Sequence, residues 1–78
     1  MMRRYTQKEL KNLCSEGYAT NITNYSFEQI KELRNKTQLS KVGYSAGVNG
    51  INGGLLEDIN TGEKYAITAR NSTLLMIF

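Results

Sequence analysis

The sequence predicts an α+β fold: two N-terminal helices packed on one face of a three- to four-stranded, mainly antiparallel β-meander. Three observations carry that expectation. Two closely similar lines, YTQKELKNL at residues 5–13 and YSFEQIKEL at residues 25–33, each open as a helix opens. Beyond about residue 40, helical apolar spacing gives way to short β-branched and aromatic runs. Those runs are separated by turn dipeptides rather than by further helical patterns.

The first helix is expected over about residues 6–17. Thr6 and Glu9 have the spacing of a capping box, and Tyr5 and Leu10 that of a hydrophobic staple. Leu10, Leu13 and Cys14 share one face, and Gly17 suits a left-handed helix end. The second helix is expected over about residues 26–36. Ser26 and Gln29 repeat the box, Tyr25 and Ile30 the staple, and Phe27, Ile30 and Leu33 form the apolar stripe. The shared residues are those that a helix start requires, and there is no third copy, so the repeat is read as one capping device used twice. The link GYATNITN is polar and β-branched and is read as a short extended piece with Ile22 pointing inward.

Strands are expected over about residues 41–46, 55–59, 64–69 and 73–78. The link NTGE between the second and third is a hairpin signal, with Gly62 supplying a positive φ. Tyr65, Ile67 and Ala69 alternate with polar or small neighbours, as in a strand with one wet face. The run TLLMIF is apolar throughout and reads as a central strand.

Between the first two strands, GYSAGVNGINGG at residues 43–54 holds five of the seven glycines and two Asn-Gly dipeptides. Two readings stand. One is a pair of turns or a bulged strand, with Val48 and Ile51 tucked into the core. The other is a loop whose open N–H groups approach a phosphate or other anion while asparagine amides read polar edges. It is neither a Walker loop nor a dinucleotide fingerprint, because the required lysine, spacing and following helix are absent. A second polar cluster, ARNST at residues 69–73, offers the planar fork of Arg70 with Asn71 and Ser72 beside it, or else an ordinary turn.

The totals narrow the function. Seventy-eight residues make a single domain, 1–78, that buries about 60% of its unfolded surface. The chain has no histidine, so the usual proton shuttle near neutral pH is absent. One cysteine supports neither an internal disulfide nor a thiolate cluster, and Cys14 reads as a small apolar side chain in a reducing compartment. Glu57 and Asp58 are neighbours on a strand and point to opposite faces. No catalytic residue, metal site or cofactor is therefore expected, and the chain is read as a non-enzyme. The net charge of +3 is mild and forms no basic stripe. The start MMRRYTQKE lacks an apolar stretch behind its charged pair, so no signal peptide is expected, and no run approaches the length of a bilayer span.

Over the C-terminal half, the loop YSAGVNGINGG, the Thr-Gly turn and the pattern YAITARNS resemble a group of small phage and mobile-element proteins of Gram-positive bacteria. The resemblance implies a counter-defence accessory protein acting by binding in the cytoplasm of the infected cell. The first form is sequestration of a small anionic nucleotide-derived signal. Its ligand residues would be Tyr44, Asn49, Gly50, Asn52, Gly53, Tyr65, Arg70, Asn71 and Ser72, with the glycine-loop amides and Arg70 on phosphate and a tyrosine stacked on a base. A homo-oligomer would deepen such a pocket. The alternative is direct inhibition of a host defence protein, in the manner of an anti-CRISPR. A third is a small nucleic-acid-binding regulator, which the lack of a basic recognition helix disfavours. A membrane partner is not expected.

Overall fold

A computed structural model describes residues 2–48 and 50–68. Their elements, in chain order, are β1 (Arg3–Arg4), α1 (Gln7–Ser15), β2 (Thr20–Asn21), α2 (Phe27–Lys36), β3 (Leu39–Gly47), β4 (Gly50–Asp58) and β5 (Lys64–Thr68). The sheet order is β1-β3-β4-β5-β2. β4 runs antiparallel to both β3 and β5, while β1 lies parallel to β3 and β2 parallel to β5. The expected architecture is thereby corrected: the sheet is mixed, and the helices alternate with strands instead of preceding a meander. β1 and β2 are two residues long and exposed, so neither carries an apolar periodicity; β2 is the short extended piece expected in the GYATNITN link, whereas β1 was not expected. The strand expected at 73–78 lies outside the described residues.

Both helices start as their sequences dictate. Thr6 Oγ1 accepts from the Glu9 amide at 3.0 Å, and the Thr6 amide donates to Glu9 Oε1 at 2.9 Å. Ser26 Oγ accepts from the Gln29 amide at 3.2 Å, and the Ser26 amide donates to Gln29 Oε1 at 2.8 Å. Each box satisfies two of the amides that a helix start leaves without an internal partner. The other carboxylate oxygen of Glu9 lies 3.5 Å from the Arg3 guanidinium, which stacks over the Tyr5 ring at 4.8 Å. These donors hold the Glu9 carboxyl below its ordinary pKa, the Thr6 amide first. α1 closes with Gly17 at φ +84°, the Tyr18 amide donating to the Leu13 carbonyl and the Gly17 amide to that of Cys14. That pattern is a Schellman motif.

The helices cover opposite faces of the sheet. Leu10 of α1 is buried with Leu55 and Ala66, and Tyr5, Leu13, Cys14 and Val42 pack around them. Ile30 of α2 is buried with Ile22, Leu56 and Ile67, and Tyr25, Leu33, Leu39, Tyr44 and Tyr65 pack around those. Leu55 and Leu56 are consecutive in β4, as are Ala66 and Ile67 in β5, and consecutive strand residues point to opposite faces. The expectation of one helical layer is therefore replaced by three layers, helix–sheet–helix. So is the expected wet face of the third strand, because Ala66, Ile67 and Thr68 are all buried.

The handedness rule supplies a reason. The chain crosses the sheet from β1 to β2 through α1, then returns to β3 through α2. Crossovers of one hand that run in opposite directions fall on opposite faces.

Two substitutions test the balance of caps and core. Thr6→Ala is expected to cost about 1 kcal/mol. Leu10→Ala, at a fully buried position, is expected to cost about 2–5 kcal/mol, a large part of the total stability of a domain this small. Urea unfolding followed by circular dichroism measures both, and equal small losses would show that α1 is not packed as described.

Candidate functional site

The glycine-asparagine segment is not an open loop. It forms the facing ends of β3 and β4, with Tyr44 opposite Gly54, Ser45 opposite Gly53, Ala46 opposite Ile51 and Gly47 opposite Gly50. The register shifts between Ser45 and Ala46, which leaves Asn52 as the extra residue of a bulge. Gln7, at the start of α1, closes this bulge. Its Nε2 donates to the Asn52 carbonyl at 2.9 Å and to Asn52 Oδ1 at 2.8 Å, and lies 3.3 Å from the Oγ of buried Ser45. The helix is thus fastened to the base of the hairpin by one carboxamide.

Two glycines here have clear geometric causes. A Cβ on Gly53 would lie 2.7 Å from the Ile67 carbonyl oxygen and 2.8 Å from Gln7 Nε2, so only a bare backbone fits between β5 and α1. Gly50 has φ +112°, which sets the turn.

The predicted ligand residues separate. Tyr44 and Tyr65 are part-buried against the cluster under α2. The Tyr65 hydroxyl donates to Glu63 Oε2 at 2.8 Å. Asn52 and Gly53 meet α1 on the other face, and Gly50 sits at the hairpin turn. The sheet lies between the two pairs. Asn49, Arg70, Asn71 and Ser72 lie outside the described residues. Val48 and Ile51, expected to tuck inward, point out: Val48 is fully exposed and Ile51 is 42% exposed.

What the structure does bring together is a projecting, uncharged hairpin end. β1 accompanies β3 only as far as Tyr44, whose carbonyl accepts from the Tyr5 amide at 2.8 Å. The described pairing of β5 with β4 ends at Gly53 opposite Thr68. Among the described residues, the arms from Ala46 to Ile51 therefore pair only with each other. The sequence signal for this feature was available. Residues 43–56 contain no Asp, Glu, Lys or Arg, in a chain with ten basic and seven acidic residues. Glycine content drew attention to the backbone and away from the missing charge.

Three hollows among the described residues are bordered by charges. Hollows of about 220, 250 and 410 Å³ are flanked by Glu32 and Lys36, by Arg3, Glu9 and Glu16, and by Glu63 and Lys64. Burial raises the pKa of the Cys14 thiol, which packs beside Leu10 under α1. Among the described residues no helix is long and apolar enough to cross a membrane. Comparison of the chain with protein-family models, with curated proteins and with solved structures finds no match.

Gly53→Ala is expected to destabilise by about 1–3 kcal/mol through overpacking against backbone, read from the shift in urea midpoint. A second expectation concerns alkaline pH. The hydrogen bond to Glu63, followed by burial, raises the Tyr65 pKa from 10.0 to about 12. The folded state thus keeps a proton that the unfolded chain releases earlier. The resulting stabilisation is complete below pH 10 and is lost as pH rises through about 12. The gap in urea midpoint between the parent chain and Tyr65→Phe should shrink across that interval, and a constant gap would contradict the Tyr65–Glu63 bond.

Proposed function

We propose that this chain is a non-catalytic binding protein, carried by a phage or mobile element, that counters a bacterial defence system by direct contact with one of its proteins. Its mechanism is stoichiometric occlusion. The observation that carries this reading is the separation of the candidate ligand residues. Tyr44 and Tyr65 pack under α2, Asn52 and Gly53 meet α1, and the sheet stands between them. A nucleotide held by phosphate and base needs its donors and its stacking ring on one side. Contact through an exposed surface needs no such convergence, and the hairpin end provides that surface. The mild positive charge also fits protein contact better than imitation of DNA, which requires an acidic surface.

Thermal shift and complex formation separate the two forms of binding. A nucleotide signal captured at a hundredfold excess over its Kd would add about 2.7 kcal/mol to stability, which is a rise of about 10 °C or more in a domain this small. No rise is expected across a panel of cyclic and linear nucleotide signals. A stable complex with a purified defence effector is expected on size-exclusion chromatography. A large nucleotide-dependent rise without such a complex would replace occlusion by sequestration.

A further inference from the structure

We infer that the Asn52–Gly53 pair is a site of spontaneous deamidation that the Gln7 carboxamide keeps closed, and that it opens when the start of α1 leaves the sheet. The inference is independent of what the chain binds.

The chemistry belongs to the pair itself. A glycine nitrogen has no side chain beside it and can reach the side-chain carbonyl of a preceding asparagine. The Gly53 nitrogen loses its proton to hydroxide and bonds to Asn52 Cγ. The Cγ–Nδ2 bond breaks, and Nδ2 takes a proton from water and leaves as ammonia. Water then opens the cyclic imide at either carbonyl, giving aspartate or isoaspartate. The second product carries the main chain through the former side chain and lengthens it by a methylene.

The fold cannot discard the glycine. A Cβ at position 53 would meet the Ile67 carbonyl oxygen at 2.7 Å and Gln7 Nε2 at 2.8 Å. Instead the asparagine is restrained. Gln7 Nε2 donates to the Asn52 carbonyl at 2.9 Å and to Asn52 Oδ1 at 2.8 Å. One donor on both oxygens holds the side chain at the oxygen edge of the 52–53 peptide, and the attacking nitrogen is on the other edge. Asn52 Nδ2 rests against Gly47, where an added Cβ would stand 2.5 Å from it. The attacking nitrogen is engaged as well. Thr68, opposite Gly53, gives its amide to Thr23 Oγ1 on the β2 side. That pair therefore exchanges no ladder bonds, and the Gly53 amide faces Ser45 on β3.

Of these restraints, the Gln7 clamp is the one that a movement of α1 removes. Local opening of a single element needs less free energy than global unfolding, so release of the first turn of α1 is the step that admits reaction. Isoaspartate in the bulge would then displace the oxygens that Gln7 holds, and the clamp could not close again.

The test uses the full purified chain, aged at mildly alkaline pH without denaturant and in urea above its midpoint. Peptide mass spectrometry with fragment assignment gives the rate at each asparagine. In urea, Asn52 is expected to react at a rate similar to that of Asn49, which serves only as the unfolded reference. Without urea, Asn52 in the parent chain is expected to react at least about tenfold more slowly than in urea, the effect of 1.4 kcal/mol of closure. Gln7→Ala should raise that native rate about 5–30-fold, the factor that loss of one or two hydrogen bonds makes in an opening equilibrium. It should leave the rate in urea unchanged. Gln7→Glu, which keeps the size and removes the donors, should do the same. Ile30→Val, a comparable loss of stability on the other face of the sheet, should leave the native rate at Asn52 unchanged. Equal rates with and without urea in the parent chain, or no acceleration by either Gln7 variant, would overturn the inference. So would equal acceleration by Ile30→Val, which would assign the opening to global unfolding instead of to α1.

Discussion

The structure depends on one constraint: the inner strands are apolar on both sides. Leu55 and Leu56 are neighbours, and both are buried; so are Ala66 and Ile67. Side chains of adjacent strand residues leave the sheet in opposite directions. Such strands cannot rest on a single layer of helix with water behind them. With two helices available, each face receives one, and the chain must pass from one edge of the sheet to the other between them. The terse edge strands are what remain of that passage. β1 and β2 each pair over two residues before the chain leaves for a helix. Cores divided in this way are small. One holds Ile22, Ile30, Leu56 and Ile67, the other Leu10, Leu55 and Ala66. Local terms such as the two capping boxes therefore matter more here than in a domain with one large core.

Helix starts were legible because their determinants lie within five residues of one another. Thr6, Glu9 and Tyr5, like Ser26, Gln29 and Tyr25, act through nearby backbone and need no information from the rest of the chain. The turn at Gly62 was legible for the same reason, its φ of +81° being a local demand. The layering was not. Whether Leu55 and Leu56 mark a strand buried twice or a strand end is decided by what covers them, and the covering helix residues, Leu10 and Ile30, lie far away in the sequence. The doublet itself was the usable sign, because strands with one wet face alternate. The glycine segment left two readings open, a bulged strand and an anion loop, and contacts distant in sequence decided for the bulged strand. Glycine is depleted in strands, yet Gly53 sits in one because Gln7 and Ile67 approach too closely for any side chain. Tertiary contact outweighed propensity, and Tyr44 and Tyr65 came to lie on one face of the sheet, Asn52 and Gly53 on the other.

Polar groups inside the fold explain why this register and no other is kept. Among the described residues, no buried side-chain nitrogen or oxygen lacks a hydrogen-bond partner. Thr23 Oγ1 accepts from the Thr68 amide at 2.8 Å and shares a second bond of 2.8 Å with the Thr68 hydroxyl. That seals the outer side of β5 just past the reach of β2. The Gln7 carboxamide does the same for the β4 bulge. A shift of one residue in either pairing would leave Ser45 or Thr68 buried with its polar atoms unmatched, at about 1–3 kcal/mol each. Burial sets how many layers there are, and these few side chains set the alignment within them.

The contrast between sealed and unsealed parts of the sheet is the strongest argument about use. The outer sides of the long strands are covered over part of their length: β3 by β1 as far as Tyr44, β5 by β2 and Thr23. The hairpin end differs among the described residues, being both apolar and without a charged neighbour along the strand. A charge there would be easy to accommodate, since Val48 is fully exposed and packs against nothing that a polar side chain would disturb. Folding therefore gives no reason for valine at that position, whereas an exposed apolar strand end carries a standing risk of aggregation. The Gln7 carboxamide, bonded to Asn52, holds the base of that end to α1.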